Sequence, residues 1–374
     1  MRSSSKITSV MVAMVVLVAV APYSSMASPT ALGRAVEGDA YLPDQRDAKF
    51  INLQFLPFVT VKVQPTTCTS KSDNSSGTCT SRGECTSKGG RADGSCANGF
   101  AVCCVYEKRC GSIVVQNNTY LLNDAYPDTF MDIDNCQYTI EKINSGVCQV
   151  RLDFLNMRLQ GPDNTSQCSH DTFTFVGTAG ANPTVICGDN SGQHMYLDLA
   201  GGTGAARINI ATTTNTFSRS WRIKVTQIPC ISDSRAPPHC LQYYTQYSGT
   251  INSFNYQETA GVQQLAGQQY TTCIRTREGF CGIKYTADHF SLSGNATEPV
   301  AASGDANCQF DFVMIPVVGK DGTVALPDRF CGSKFVELTT YSKPFEIRVV
   351  TEGTEPSTDI NNRGFSLRYT QIPC

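Results

Sequence analysis

An all-β fold of two tandem antiparallel β-sandwiches, preceded by a small disulfide-rich module, is predicted by three observations. Six cysteines (Cys110, Cys136, Cys148, Cys168, Cys187, Cys230) recur as a second set (Cys240, Cys273, Cys281, Cys308, Cys331, Cys374). Both sets close on the same residues, Gln227-Ile228-Pro229-Cys230 and Gln371-Ile372-Pro373-Cys374, and the same interval separates Cys187 from Cys230 and Cys331 from Cys374. The chain before each closing cysteine alternates: Trp221, Ile223 and Val225 against Arg222, Lys224 and Thr226, then Phe365, Leu367 and Tyr369 against Ser366, Arg368 and Thr370. Period two with one apolar face is the pattern of a half-buried strand. No helical stripe of useful length is present, and each copy has the size of a two-sheet sandwich.

Taken in order, Met1 to Ala27 has the form of a secretory signal peptide: Arg2 and Lys6, an apolar run from Ile7 to Ala21, and small residues at Ser25-Met26-Ala27. The run, about 15 residues, is short of the roughly 20 that cross a bilayer, and no later segment is apolar enough, so no membrane span is expected. The expected location is secreted and extracellular. With 30 Lys and Arg against 32 Asp and Glu, the chain has no basic footprint for nucleic acid. Eighteen cysteines in an oxidising compartment read as disulfides. A zinc site is excluded, because Cys-x-x-Cys pairs with histidine partners are absent.

Residues 28–67 read as a linker or pro-segment. Val59-Thr60-Val61-Lys62-Val63 alternates, but Pro57 and Pro65 restrict it to an edge strand or an extended linker. From 68 to 104 the chain is Gly-, Ser- and Thr-rich with few aliphatic residues, so cross-links rather than a core must hold it. Each bridge contributes ~2 to 4 kcal/mol. Adjacent Cys103 and Cys104 are badly placed to bond each other.

The spacing Cys-x10-Cys-x5-Cys-x10-Cys-x6-Cys-Cys, with Gly77-Thr78-Cys79, Glu84-Cys85, Gly89-Gly90 and Gly99-Phe100-Ala101-Val102-Cys103-Cys104, resembles the clip domain of arthropod secreted proteins. Sequence alone leaves fifteen connectivities open for six cysteines. The resemblance implies first to fifth, second to fourth and third to sixth: Cys68 with Cys103, Cys79 with Cys96, Cys85 with Cys104.

Within the two copies, Val150, Leu152 and Phe154 match Ile283, Tyr285 and Ala287 as strands, and Phe173 and Phe175 match Phe310, Phe312 and Met314. Clusters such as Gly161-Pro162-Asp163-Asn164 and Gly319-Lys320-Asp321-Gly322 supply turns. Residues 110–230 resemble a CUB domain, a jelly-roll-like sandwich, through Tyr126-Pro127, Cys136-Gln137-Tyr138-Thr139-Ile140, Cys168-Ser169-His170-Asp171-Thr172-Phe173 and Ile186-Cys187-Gly188. Residues 240–374 keep the frame more loosely, through Cys273-Ile274-Arg275, Cys308-Gln309-Phe310-Asp311 and Phe330-Cys331-Gly332. The resemblance implies Cys110 with Cys136, Cys168 with Cys187, Cys240 with Cys273 and Cys308 with Cys331, leaving Cys148 with Cys230 and Cys281 with Cys374.

Many CUB domains bind calcium through oxygen ligands, which suit that ion. The resemblance implies Asp171 and Asp311 as middle ligands. Gln160 or Ser293 stands where a Glu is expected, Thr213 to Asn215 replaces the late acidic loop of the first copy, and Glu352 could fill it in the second. A bland role in local turn hydrogen bonds stands beside this for Asp171 and Asp311.

Gly188-Asp189-Asn190-Ser191-Gly192 and Thr286-Ala287-Asp288-His289 invite a serine-protease reading, and it fails. The first has an inserted Asn, the second lacks its cysteine, the order is reversed, and the two lie in separate copies, which defeats the contact a Ser and its base require. Ser191 reads as a turn residue, and His170, His194 and His239 as ordinary surface or turn positions. Sequons at Asn74, Asn117, Asn164 and Asn295 fit a glycoprotein. Trp221 reads as core, and Gln242-Tyr243-Tyr244-Thr245-Gln246-Tyr247 as half-buried strand or contact patch.

The expected function is non-enzymatic extracellular recognition of a protein or glycan by loops at the sandwich ends, with an extracellular protein or glycoprotein as the partner. The clip resemblance opens an alternative, a cofactor, regulator or decoy of a clip-type serine protease cascade in innate immunity. A structural component of matrix or reproductive secretion is a further one.

Overall fold

The computed structural model describes residues 62–179, 183–199, 205–296, 300–325, 327–355, 359 and 361–374. The signal segment 1–27 and residues 28–61 of the following segment lie outside the described residues. Of the alternating stretch, Lys62 and Val63 are described and belong to no strand; the first strand is Thr67–Thr69.

The N-terminal knot is a small antiparallel sheet of Thr67–Thr69, Ser76–Thr80, Ala101–Lys108 and Arg91–Cys96, with one short helix, Arg82–Ser87. Ser81 caps the helix, its hydroxyl accepting from Glu84 N. Disulfides join Cys68 to Cys103, Cys79 to Cys96 and Cys85 to Cys104. Cys85 and Cys104 are fully buried and with Val102 and Tyr106 form the only apolar cluster inside the knot among the described residues. Ala101–Lys108 then pairs in parallel with Thr119–Leu122, so the knot's sheet continues into the larger sheet of the first sandwich.

That sandwich packs the larger sheet, with Thr119–Leu122, Ser220–Pro229, Val147–Arg158 and His194–Asp198 in that order, on a four-stranded sheet of Ile113–Val114, Asn135–Ile140, Ala206–Thr212 and Asp171–Val176. The inward residues are those the alternation marks: Trp221, Ile223, Val225, Val150, Leu152, Phe154, Phe173 and Phe175 are all buried. The Trp221 indole N–H donates to the Tyr138 hydroxyl at 2.9 Å, which supplies the partner a buried indole needs.

The second sandwich repeats the plan. Ser248–Asn252, Gly364–Pro373, Phe280–Ser291 and Leu338–Thr340 make one sheet, and the other is built on Gln269–Ile274, Phe345–Val350, Phe312–Met314 and Arg329–Gly332. Here the sequence reading errs in one register. Phe310 lies before the strand and is exposed, and Val313, not Phe312 or Met314, points into the main core. Phe312 packs instead on the Cys308–Cys331 side. Cys148 is bonded to Cys230, Cys281 to Cys374, Cys110 to Cys136, Cys168 to Cys187 and Cys240 to Cys273.

The sandwiches meet over a polar and aromatic junction. Tyr243, in the short strand Gln242–Tyr244, stacks edge-on against Tyr196, so the tyrosine run is both strand and contact patch. Asn255 N donates to Asn190 Oδ1 at 2.8 Å and Gln193 Nε2 to Ser253 O at 3.0 Å. Gly188, with φ +79°, lies where a side chain would collide with the Asn255 amide, so both backbone conformation and close approach require glycine.

Candidate functional site

Asp171 and Asp311 begin the same structural segment in the two domains, three residues after Cys168 and Cys308. Both are buried, yet they are answered differently. In the first domain the Arg219 guanidinium lies against Asp171 with Nε to Oδ2 2.6 Å and Nη2 to Oδ1 2.8 Å, both side chains fully buried. Gln160 N adds a third donor at 2.7 Å, and Thr214 Oγ accepts from Arg219 Nη2. A bidentate pair of this kind already fills the place of a cation. The expectation that Asp171 offers oxygens to a metal is therefore corrected: its oxygens are committed to Arg219.

In the second domain the arginine at the matching place, Arg363, two residues before Phe365 as Arg219 is before Trp221, turns the other way. It donates to Glu258 O at 2.6 Å and contacts His289 Nδ1 at 3.1 Å. Asp311 is left facing two further acids: carboxylate oxygens of Asp311, Glu355 and Asp359 all lie within 4.8 Å of one another. The backbone donates to some of these oxygens, Glu352 N to Asp311 Oδ1 and Gly294 N to Asp359 Oδ1, each at 2.7 Å. Gln264 Nε2 donates to Glu355 Oε1 at 2.6 Å.

Among the described residues, Asp311 Oδ2 and Glu355 Oε2 are buried without a hydrogen-bond partner. No Lys or Arg among the described residues pairs with the three acids. Burial, helped by the neighbouring acids, pushes the Asp311 carboxyl up to about 7; burial and then the Asp311 charge push Glu355 up to about 8. Clustered carboxylates with orphaned buried oxygens and no nitrogen or sulfur donor are the donor set of a hard divalent cation. Glu352 is corrected on the same ground: its backbone N–H braces Asp311, while the acids gathered there are Glu355 and Asp359.

The loop carrying Glu352 to Glu355 is fastened to the first domain. Glu355 N donates to Thr165 O at 3.2 Å and Gln167 Nε2 to Gly353 O at 2.9 Å, and beside the loop Ala266 N donates to Ser166 O at 2.8 Å. The acidic site thus sits where the domains meet.

The remaining candidates are placed as follows. Ser191 Oγ accepts from Met157 N at 3.0 Å and His289 faces Arg363; the two are not brought together as a nucleophile and its base. His194 is not at the surface. It is buried at the junction, accepting from Tyr243 N at 3.1 Å, with Tyr196 and Tyr244 edge-on around it, and burial lowers its pKa to about 4. His239 is exposed and bonds Glu346 at 2.7 Å. Asn74 and Asn164 are exposed, and Asn295 is partly buried. The Asn117 amide is used inside the fold, accepting from Gln227 N at 2.7 Å and donating to Gln227 O at 3.3 Å.

Two-sheet sandwiches with this cysteine frame define a class of extracellular modules. Residues 110–225 match the sequence model of the CUB domain and residues 237–372 that of the animal CUB domain; the chain belongs to the CUB proteins and carries two such domains in tandem. CUB domains are generally non-catalytic modules that mediate protein interactions, and with the disulfides they fit an extracellular protein. No helix among the described residues is long and apolar enough to cross a membrane.

Among solved structures, the chain is similar to the CUB1-EGF-CUB2 domains of rat MASP-1, at 16% identity over 71% of this chain and 99% of that one, with a TM-score of 0.25. The same domains of human MASP-1/3 give 16% identity, 68% and 98% coverage and a TM-score of 0.24. The extracellular region of zebrafish Gpr126/Adgrg6 gives 8% identity, 70% and 36% coverage and a TM-score of 0.28. A search of curated proteins finds no match.

Proposed function

We propose that the protein is a secreted, non-enzymatic binding protein that recognises an extracellular protein or glycoprotein through its second CUB domain in a calcium-dependent way. The observation that carries this is the acid cluster with its two buried, unpartnered oxygens. Asp311, Glu355 and Asp359 are the residues that would hold the ion, and calcium, when bound, would offset two of the three negative charges of carboxylates that otherwise repel one another. The protein's own residues do the rest: Gly294 N and Glu352 N orient two of the acids, and Thr165 and Gln167 hold the loop that presents the third. The first domain, its Asp171 paired with Arg219, braces that loop rather than offering a second ion site.

The test is cross-linked capture from the protein's native secreted fluid with calcium, with chelator, and with Asp311→Asn. A set of partners retained by wild type in calcium and lost in both other arms supports the reading. The same set recovered in all three arms rejects it.

A second reading has an observation of its own. The knot pairs its cysteines first to fifth, second to fourth and third to sixth, the pattern the clip resemblance implies, which supports a regulator of a clip-type serine protease cascade. It predicts that adding the purified protein changes the rate of zymogen activation in that fluid; an unchanged rate removes it.

A further inference from the structure

A groove of about 720 Å³ crosses the outer face of the first domain's larger sheet, far in sequence from the acid cluster, between the knot and the interdomain linker. Its floor carries Arg151 and Asp153 on one strand and Arg222 and Lys224 on the next, flanked by Tyr120 and Tyr196. The two arginines are already held by the protein, although Arg222 Nε is buried without a partner among the described residues. Arg151 pairs with Asp153 at 2.6 Å, donates to the Tyr196 hydroxyl at 2.8 Å and lies over that ring. Arg222 stacks on Tyr120 at 4.7 Å and donates to Ser75 Oγ of the knot at 2.5 Å, with Asp73 at 3.4 Å.

Lys224 stands between them, opposite Asp153 on one neighbouring strand and Tyr120 on the other. Among the described residues its ammonium makes no hydrogen bond or ion pair, although it is half-buried and burial lowers its pKa. Its Nζ is not among the buried unpartnered atoms, so water still reaches it, and a charged donor on the groove floor with no protein acceptor, beside the orphaned Arg222 Nε, is open to an acceptor that arrives with a ligand.

The charges also say what kind of ligand. Three cations and two carboxylates line the groove, so it has room for one added negative charge. Asp73, Asp153, Ser75 and Thr226 accept hydrogen bonds from hydroxyls. A polysulfated chain or an acidic peptide would bring further negative charge against Asp73 and Asp153. We propose that this groove binds a saccharide bearing a single carboxylate per recognised unit, the carboxylate on Lys224 and the neighbouring sugar hydroxyls on Asp73 and Asp153.

The test is calorimetric titration of the whole protein with hyaluronan tetrasaccharide, which carries isolated carboxylates, alongside heparin tetrasaccharide, chitotetraose and an oligoglutamate peptide. Asn74 lies on the rim within a sequon, so protein with and without enzymatic removal of N-glycans is titrated. The expected result is binding of the hyaluronan fragment in preference to the other three in at least one glycan state. Lys224→Gln should weaken it at least about tenfold, and Lys224→Arg should restore most of it, with calcium binding and thermal midpoint unchanged. No binding in either state, equal binding by Lys224→Gln, or tighter binding of heparin, chitotetraose or the peptide overturns the proposal.

Discussion

Arg219 and Arg363 occupy the same place in the repeat and settle the chemistry of their domains in opposite ways. Arg219 neutralises a buried aspartate; Arg363 turns away and leaves its counterpart to two other acids. Arg219→Met should therefore strand Asp171 as a buried unpaired charge and destabilise the first domain by about 3 to 5 kcal/mol, read by urea unfolding, with Asp171→Asn added to it recovering part of the loss. In the second domain the sign of the pH dependence is opposite to that of a salt-bridged acid. Folding raises the Asp311 and Glu355 carboxyls from an unfolded range of about 4 to about 7 and about 8. The folded chain then binds more protons than the unfolded one, so the metal-free protein loses stability as pH rises through that window. Thermal midpoints in chelator should fall from pH 5 to pH 8, and calcium should raise the midpoint most at the upper end; a midpoint in chelator that rises with pH would contradict the assignment. Sequence could mark Asp171 and Asp311 because their distance from a cysteine is fixed. It could not distinguish them, because what separates them is the side to which an arginine turns. Glu355 and Asp359 escaped for a related reason: they sit in a loop whose length differs between the copies, so no counted offset reaches them.

At the scale of elements, the strands were legible where alternation is undisturbed. Val147–Arg158 and Ser220–Pro229 bury every second residue over most of their length, and a one-residue slip would expose the whole apolar set. Phe312–Met314 is only three residues long and sits beside a disulfide that buries Phe312 on its own side, so period two carried too little information to fix its face. The domain junction was illegible, since Asn190, Gln193, Asn255 and His194 are polar residues that read as surface until a second domain covers them. His194 gives that junction a testable property. Burial, with Arg151 nearby, lowers its pKa from 6.5 to about 4, with Asp153 acting the other way. The unfolded or opened state binds the extra proton, so the contact is at full strength above about 6.5 and weakens as pH falls toward 4. Amide protection in His194–Asp198 and Gln242–Tyr244, taken relative to the intrinsic exchange rate at each pH, should fall over that window, and His194→Gln should remove the fall.

For the molecule as a whole, the tandem repeat, the all-β class and the two CUB domains follow from cysteine spacing and alternation because disulfides and strand pairing are long-range constraints written at fixed intervals. How the pieces are joined is not written that way. The knot extends the first domain's sheet, and the first domain in turn pins the loop of the second domain's acid cluster. The central proposal is that the described residues hold one ion site, in the second domain, because an arginine closes the matching position in the first. Calorimetric titration of calcium into the intact, oxidised protein tests it most directly, with Asp171→Asn and Asp311→Asn alongside. The account predicts one calcium per chain, kept in Asp171→Asn and lost in Asp311→Asn; two ions per chain, none, or one that survives Asp311→Asn would contradict it.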